Sequence, residues 1–225
     1  MKRTWFITGT DTSAGKTVLS VLLTRFLVQL GRPVHAVKPI CSGARADPEA
    51  LQEALLVRVP IDKINPWFFT PPISPARAAK LSGHEVTLAD VLAFLRPHQE
   101  IEGELIIEGA GGILSPLGID FDNRELFVAL RARPILVCPN RLGMINQARL
   151  AWEAVPLNLR PLTAIFINEF GPADASTPSN VVDLAEFLPL QQTFVLPNCP
   201  NWGTCPIPPV LTQFIQWADN PPANV

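Results

Sequence analysis

The sequence predicts an α/β fold, a mostly parallel sheet covered by helices on both faces. Three observations carry this. Short apolar runs alternate with stretches of helical periodicity along the whole chain. Prolines follow several of these runs, at Pro39, Pro139 and Pro197, where they end a strand without costing a ladder bond inside it. The polar residues Lys38, Glu108, Asn140 and Asn168 stand at the ends of such runs, where an open sheet of this kind binds its ligands.

In chain order, residues 3–8 form the first strand and residues 17–30 the first helix. That helix places Val18, Leu22, Phe26 and Leu30 on one face and stops at Gly31. Residues 33–38 are a second strand, followed by a turn over residues 39–43. Residues 47–57 are helical, and residues 60–75, rich in proline and aromatic side chains, form an ordered loop. Short helices follow at 75–81 and 88–95, the second capped by Thr87 with Asp90 completing a capping box. A buried strand at 104–108 runs into the glycine turn Gly109-Ala110-Gly111-Gly112. Beyond it come a helix at 124–130, a strand at 134–138, a helix at 143–154 and a strand at 162–168. A helix at 181–188, an edge strand at 193–196 and a closing helix at 209–217 complete the pattern.

The first strand ends in Gly9-Thr10-Asp11-Thr12-Ser13-Ala14-Gly15-Lys16-Thr17, the order of strand, phosphate loop and helix in a P-loop nucleotide binder. The sheet is therefore expected in the three-layer arrangement of the P-loop NTPases. Backbone N–H groups and the helix dipole favour a phosphate chain here. Lys16 reaches its β and γ phosphates, and the Thr17 hydroxyl ligates Mg²⁺. The usual first glycine would stand at Thr10, and Gly9 sits one residue early. The competing reading is an ordinary helix start capped by Thr12 or Ser13.

With 225 residues, 48% of them hydrophobic, the chain supports one core, read as a single nucleotide-binding domain over 1–225 with a loose Pro-rich tail from about 220. A net charge of -2 argues against a nucleic-acid partner. Neither a membrane-spanning run nor a signal peptide is evident, so a cytoplasmic protein is expected. Cys41, Cys138, Cys199 and Cys205 form no paired motif and are expected to be free thiols.

Glu108 ends a buried strand before a glycine turn, which suits a rigidly held metal ligand, although it could also cap a loop amide. Asp47 reads first as the N-cap of its helix, and Lys38 either as a solvated strand end or as a charge-stabilising cation, with Ser42 close behind it.

Several of these stretches together resemble the dethiobiotin synthetase family. They are Gly9-Thr10-Asp11-Thr12 with Gly15-Lys16-Thr17, Lys38-Pro39 with Ser42-Gly43, Asn65-Pro66, Ser74-Pro75, Glu108-Gly109-Ala110-Gly111-Gly112, and Leu142-Gly143 with Ile145-Asn146. The resemblance implies an ATP- and Mg²⁺-dependent homodimer of biotin biosynthesis. Its reaction would join 7,8-diaminononanoate and CO₂ to dethiobiotin through a carbamate and a carbamic-phosphoric anhydride. By the same resemblance Thr17, Asp47 and Glu108 are metal ligands, and Lys16 and Lys38 are catalytic. Nucleotide contacts fall to Thr12, Ser13, Ala14, Gly15, Lys16, Thr17 and Val18 of the loop. They also fall to Glu108, Gly109, Ala110 and Gly111, and around the base to Asn168, Glu169, Leu196, Pro197 and Asn198. Thr12 and Ser42 would touch the diamine or carbamate, while Gly143, Met144, Ile145 and Asn146 would bind the substrate carboxylate across the dimer interface. Gln147 and Arg141 depart from the residues usual in the family.

Two other readings share the motifs. One is a P-loop ATPase switch of the MinD and ParA type, against which Asp11 stands where those proteins carry an additional lysine. The other is a related ATP-dependent amidoligase, which would need an ammonia source or a glutaminase domain, and this chain has no room for such a domain.

Overall fold

The computed structural model describes residues 2–220. The tail expected from about residue 220 lies, apart from Asn220 itself, outside them. Eight strands and eight α-helices are assigned among the described residues. In chain order they are β1 (Lys2–Gly9), α1 (Lys16–Gln29), β2 (Val34–Val37), β3 (Ile40–Ser42), α2 (Ala46–Ala54), β4 (Trp67–Phe69), α3 (Pro75–Leu81) and α4 (Leu88–Glu100). Then follow β5 (Gly103–Gly112), α5 (Asn123–Ala129), β6 (Arg133–Pro139), α6 (Met144–Ala154), β7 (Ala164–Asn168), α7 (Asn180–Leu184), β8 (Thr193–Leu196) and α8 (Val210–Asp219).

Six strands form one parallel sheet in the order β2-β5-β1-β6-β7-β8. Strand side chains alternate between its faces, so Trp5 and Ile7 enter one core and Phe6 the other. The first core is closed by α1, α2 and α8, and the second by α3 to α7. Burial on both faces is why the strands read as continuous apolar runs. Among the described residues no helix is long and apolar enough to cross a membrane.

The structure corrects several local expectations. The turn expected over residues 39–43 contains β3, and the loop over 60–75 contains a 3₁₀ turn (Ile61–Lys63) and β4, which pairs with β3 in a small separate parallel sheet. The glycines after Glu108 are no simple turn. β5 continues through them, and its register against β1 shifts from Glu108 opposite Ile7 to Gly112 opposite Gly9, so residues 109–111 bulge outward. α4 runs past Leu95 to Glu100, α7 stops at Leu184 instead of 188, and Leu30 is 49% exposed rather than on the buried face of α1.

Candidate active site

Parallel strands deliver their carboxyl ends to one edge of the sheet, and β1 delivers the phosphate loop there. Gly15 takes a left-handed φ of 97°, and a Cβ on it would lie 1.8 Å from Asn168 Nδ2. Only glycine fits, for conformation and for space. Gly9, one position early by motif spacing, is constrained by space alone, since its Cβ would press on the Asp11 carbonyl at 2.8 Å. Neither Thr12 nor Ser13 caps α1; Gly15 is the N-cap and no side chain bonds the helix start. The capped-helix alternative therefore fails, and the N–H groups stay available to an anion.

Lys16 is buried and folds back onto the loop, its Nζ donating to the Asp11 carbonyl at 3.1 Å. Burial pulls its pKa down to about 8, against the opposing pull of Glu108. Lys38, just past β2, is also buried, and burial alone would lower it. The carboxylates of Glu108 and Asp47 outweigh that and hold it above the usual lysine range. Its Nζ donates to Glu108 Oε1 at 2.8 Å and to Asp47 Oδ2. It is thus not a solvated strand end. Asp47 sits within the first turn of α2 and does not cap it; Arg45 is the N-cap.

Glu108 is 1% exposed. Its Oε1 accepts from Thr17 Oγ1 at 2.8 Å as well as from Lys38, while Oε2 is buried with no hydrogen-bond partner among the described residues. A desolvated carboxylate oxygen without a donor is costly, and a divalent cation would satisfy it. The oxygens of Thr17, Asp47 and Glu108 are the hard donor set that Mg²⁺ prefers, and they leave room for water and phosphate. Among the described residues no cluster of three His, Cys, Asp or Glu side chains gathers.

These groups surround a cavity of about 870 Å³. Of the predicted contacts Thr12, Ser13, Gly15, Lys16, Thr17 and Val18 line it, as do Lys38, Ser42 and Asp47 and, further round, Ala110, Gly111, Asn168 and Asn198. Other predicted residues do not. Ala14 is buried beneath the loop and gives its carbonyl to Asn168 Nδ2 at 3.2 Å, so that amide N–H is engaged by the loop. Glu108 stands behind Thr17 and Lys38 rather than in the wall. Gly109 faces Asn123 and Phe6, Leu196 is core, and Glu169 and Pro197 are not among the residues that line the cavity.

The run from Gly143 to Asn146 also lies outside this cavity. The side chain of Met144 is wholly buried in the core, and its backbone opens α6. Asn146 instead borders a separate hollow of about 340 Å³ with Arg149 and Phe187. Arg141, just before this run, reaches toward the loop, 3.9 Å from Asp11.

Sequence reasoning missed the supports. Asn65, fully buried, donates to the Lys38 carbonyl at 2.8 Å and to Pro39 at 3.2 Å, and so fixes the backbone that carries Lys38. Asn123 does the same for the glycine bulge, donating to the carbonyls of Ala110 and Gly112 at 2.9 and 2.8 Å. Asn65-Pro66 was legible as a motif, but nothing in the sequence signals the work of Asn123.

A family model, AAA_26 (AAA domain), matches residues 3–203. The ATP-dependent dethiobiotin synthetase BioD of Anaeromyxobacter dehalogenans (strain 2CP-C) is 34% identical over 201 residues, 87% of this chain and 90% of that one. The chain belongs to the dethiobiotin synthetase family. The BioD proteins of Marinobacter nauticus (33% identical, 95% of this chain and 96% of that one) and of Bacillus subtilis (36%, 74% of each) are further relatives. Among solved structures, the hydrogenase maturation factor HypB of Archaeoglobus fulgidus aligns at a TM-score of 0.54 with 13% identity, covering 97% of this chain and 87% of that one. At that identity it attests the P-loop NTPase fold alone. A dethiobiotin synthetase uses ATP with Mg²⁺, for which the loop and the Thr17, Asp47 and Glu108 oxygens are suited.

Proposed function

We infer that this chain carries out ATP-dependent dethiobiotin synthesis, a cyclo-ligase reaction that carboxylates 7,8-diaminononanoate with CO₂ and closes the ring in biotin biosynthesis. The observation that carries the mechanism is Lys38, clamped between Glu108 and Asp47 beside the phosphate loop.

When bound, Mg²⁺ would supply positive charge that offsets the charge of the phosphate chain. We assign its protein ligands to Thr17, Asp47 and Glu108. Lys38 keeps its proton, because its flanking carboxylates stabilise the ammonium. It therefore acts as a fixed cation for the carbamate and the transferred phosphoryl group, not as a base. Lys16 offers a second cation, and the anionic nucleotide beside it opposes the effect of burial on its pKa. No protein nucleophile is needed, since the substrate amines attack. Catalysis consists of positioning and charge stabilisation.

The substrate carboxylate falls to the run from Gly143 to Asn146, supplied by a second copy of the chain in a homodimer. Three features support this: the run lies outside its own chain's large cavity, Gly143 starts α6 with no side-chain cap, and Leu142 and Leu150 beside it are 79% and 64% exposed. A single nucleotide-binding domain and a cytoplasmic location belong to the same reading. One core draws on residues from Trp5 to Ala218 and the other on residues from Phe6 to Leu188, and the four cysteines are free thiols. An assay of ADP release with Mg·ATP and bicarbonate, with and without 7,8-diaminononanoate and with dethiobiotin followed as product, tests the function. Turnover that ignores the diamine would instead favour a nucleotide switch.

A further inference from the structure

The sheet order separates the two ends of the cavity. Lys38 follows β2 at one edge, the phosphate loop follows β1 near the middle, and residues 198–202 follow β8 at the other edge. With strands about 4.8 Å apart, the two edges are on the order of 20 Å from each other, which suits an extended nucleotide. A triphosphate reacting beside Lys38 therefore directs its base toward the β7–β8 side.

On that side the wall includes Val18, Phe170, Asn198, Pro200 and Trp202. Trp202 is half-buried, packed at the rim of the core beneath α1 and α8. Its turn is held tightly. The Asn201 carbonyl accepts from Thr204 N at 2.9 Å and from Cys205 N at 2.7 Å. Arg25 then grips the turn from outside, Nη1 donating to the Trp202 carbonyl at 2.7 Å and Nη2 to the Cys205 carbonyl at 2.9 Å. This two-pronged contact uses the planar fork of the guanidinium, which a lysine cannot reproduce. Arg25 belongs to α1, whose N-terminus cradles the phosphates, so the phosphate site and the Trp202 turn are fixed to one helix.

We propose that Trp202 is the nucleobase-stacking residue of this site and that Arg25 is its positioning residue. The proposal rests on the reading of the cavity as the ATP site. A tryptophan face suits any base, because every base has a π-face. Trp202 thus contributes affinity without selecting among bases.

The test uses the full chain and two variants, with Mg²⁺-free ADP as fluorescence probe and steady-state kinetics with ATP and with GTP. Trp202→Ala should raise KM for both nucleotides in equal proportion, by about tenfold, with kcat within about twofold of the parent. Trp202→Phe should keep KM near the parent's but abolish the ADP-induced change in tryptophan emission. Arg25→Lys should raise KM without changing kcat, which a general loss of folded protein would not do. A parent-like KM in Trp202→Ala, or a full ADP response in Trp202→Phe, overturns the proposal. If the parent binds ADP with a Trp202-dependent response yet makes no dethiobiotin, the synthetase reading fails and the stacking role stands. Dethiobiotin formation with an unchanged KM in Trp202→Ala fails the stacking role alone.

Discussion

Lys38 shows what can be read from a single residue and what cannot. Its place after an apolar run marked it as a candidate, but its two carboxylate partners come from positions 47 and 108, and only folding brings them together. Lys38→Ala should lower dethiobiotin synthesis at least tenfold while the far-UV circular dichroism stays that of the parent, the usual scale for removing such a charge contact. Retention of more than about a tenth of the parent rate removes Lys38 from its role. Gly15→Ala should abolish ATP binding in a titration, because the left-handed backbone and Asn168 both reject a Cβ. Motif residues such as Lys16, Thr17 and Glu108 were legible because their chemistry demands their type. Asn123 was not, because a side-chain amide that props a distant carbonyl leaves no spacing to recognise.

Elements were legible where local rules decide them. The capping box at Thr87 and Asp90 is present as expected, with the Thr87 hydroxyl accepting from Asp90 N at 3.2 Å. Thr87→Ala should cost about 1 kcal/mol in urea unfolding and leave kcat unchanged. The same helix runs on beyond Leu95 because tertiary contacts carry it through Pro97. Gln99 donates to the Leu130 carbonyl at 3.1 Å, and His98 packs on Phe94 and His35. Burial lowers the pKa of both histidines from 6.5. The unfolded chain takes up protons around that value while the native state resists them, so stability is full above about 6.5 and declines as pH falls below it. Urea midpoints should accordingly drop between about pH 7.5 and pH 5.5, and less so in His98→Phe. β3 and β4 escaped notice for a related reason. Each is three residues long, and they exist as strands only because they pair with each other.

At the scale of the whole molecule, the sheet separates chemistry from cohesion. The edge opposite the cavity carries a partly buried ionic knot. Glu104 bonds Arg32 at 3.0 Å and Trp5 Nε1 at 2.8 Å, and Asp219 of α8 bonds Arg3 at 2.6 Å and Arg32 at 2.8 Å. Glu104→Ala should lower unfolding free energy by about 1–3 kcal/mol, the range for leaving a buried donor such as Trp5 Nε1 unpaired, without altering KM for ATP. A shifted KM would show the two edges to be coupled. The sequence by itself determined the fold class and the phosphate loop, because periodicity and motif spacing are local and survive in one dimension. The tertiary structure alone decided which strand lies beside which, that Glu108 pairs with Lys38 and Thr17, and that a loop near residue 202 walls the cavity begun at residue 12. Those outcomes depend on burying both faces of one sheet at once, a condition that no short stretch of sequence records.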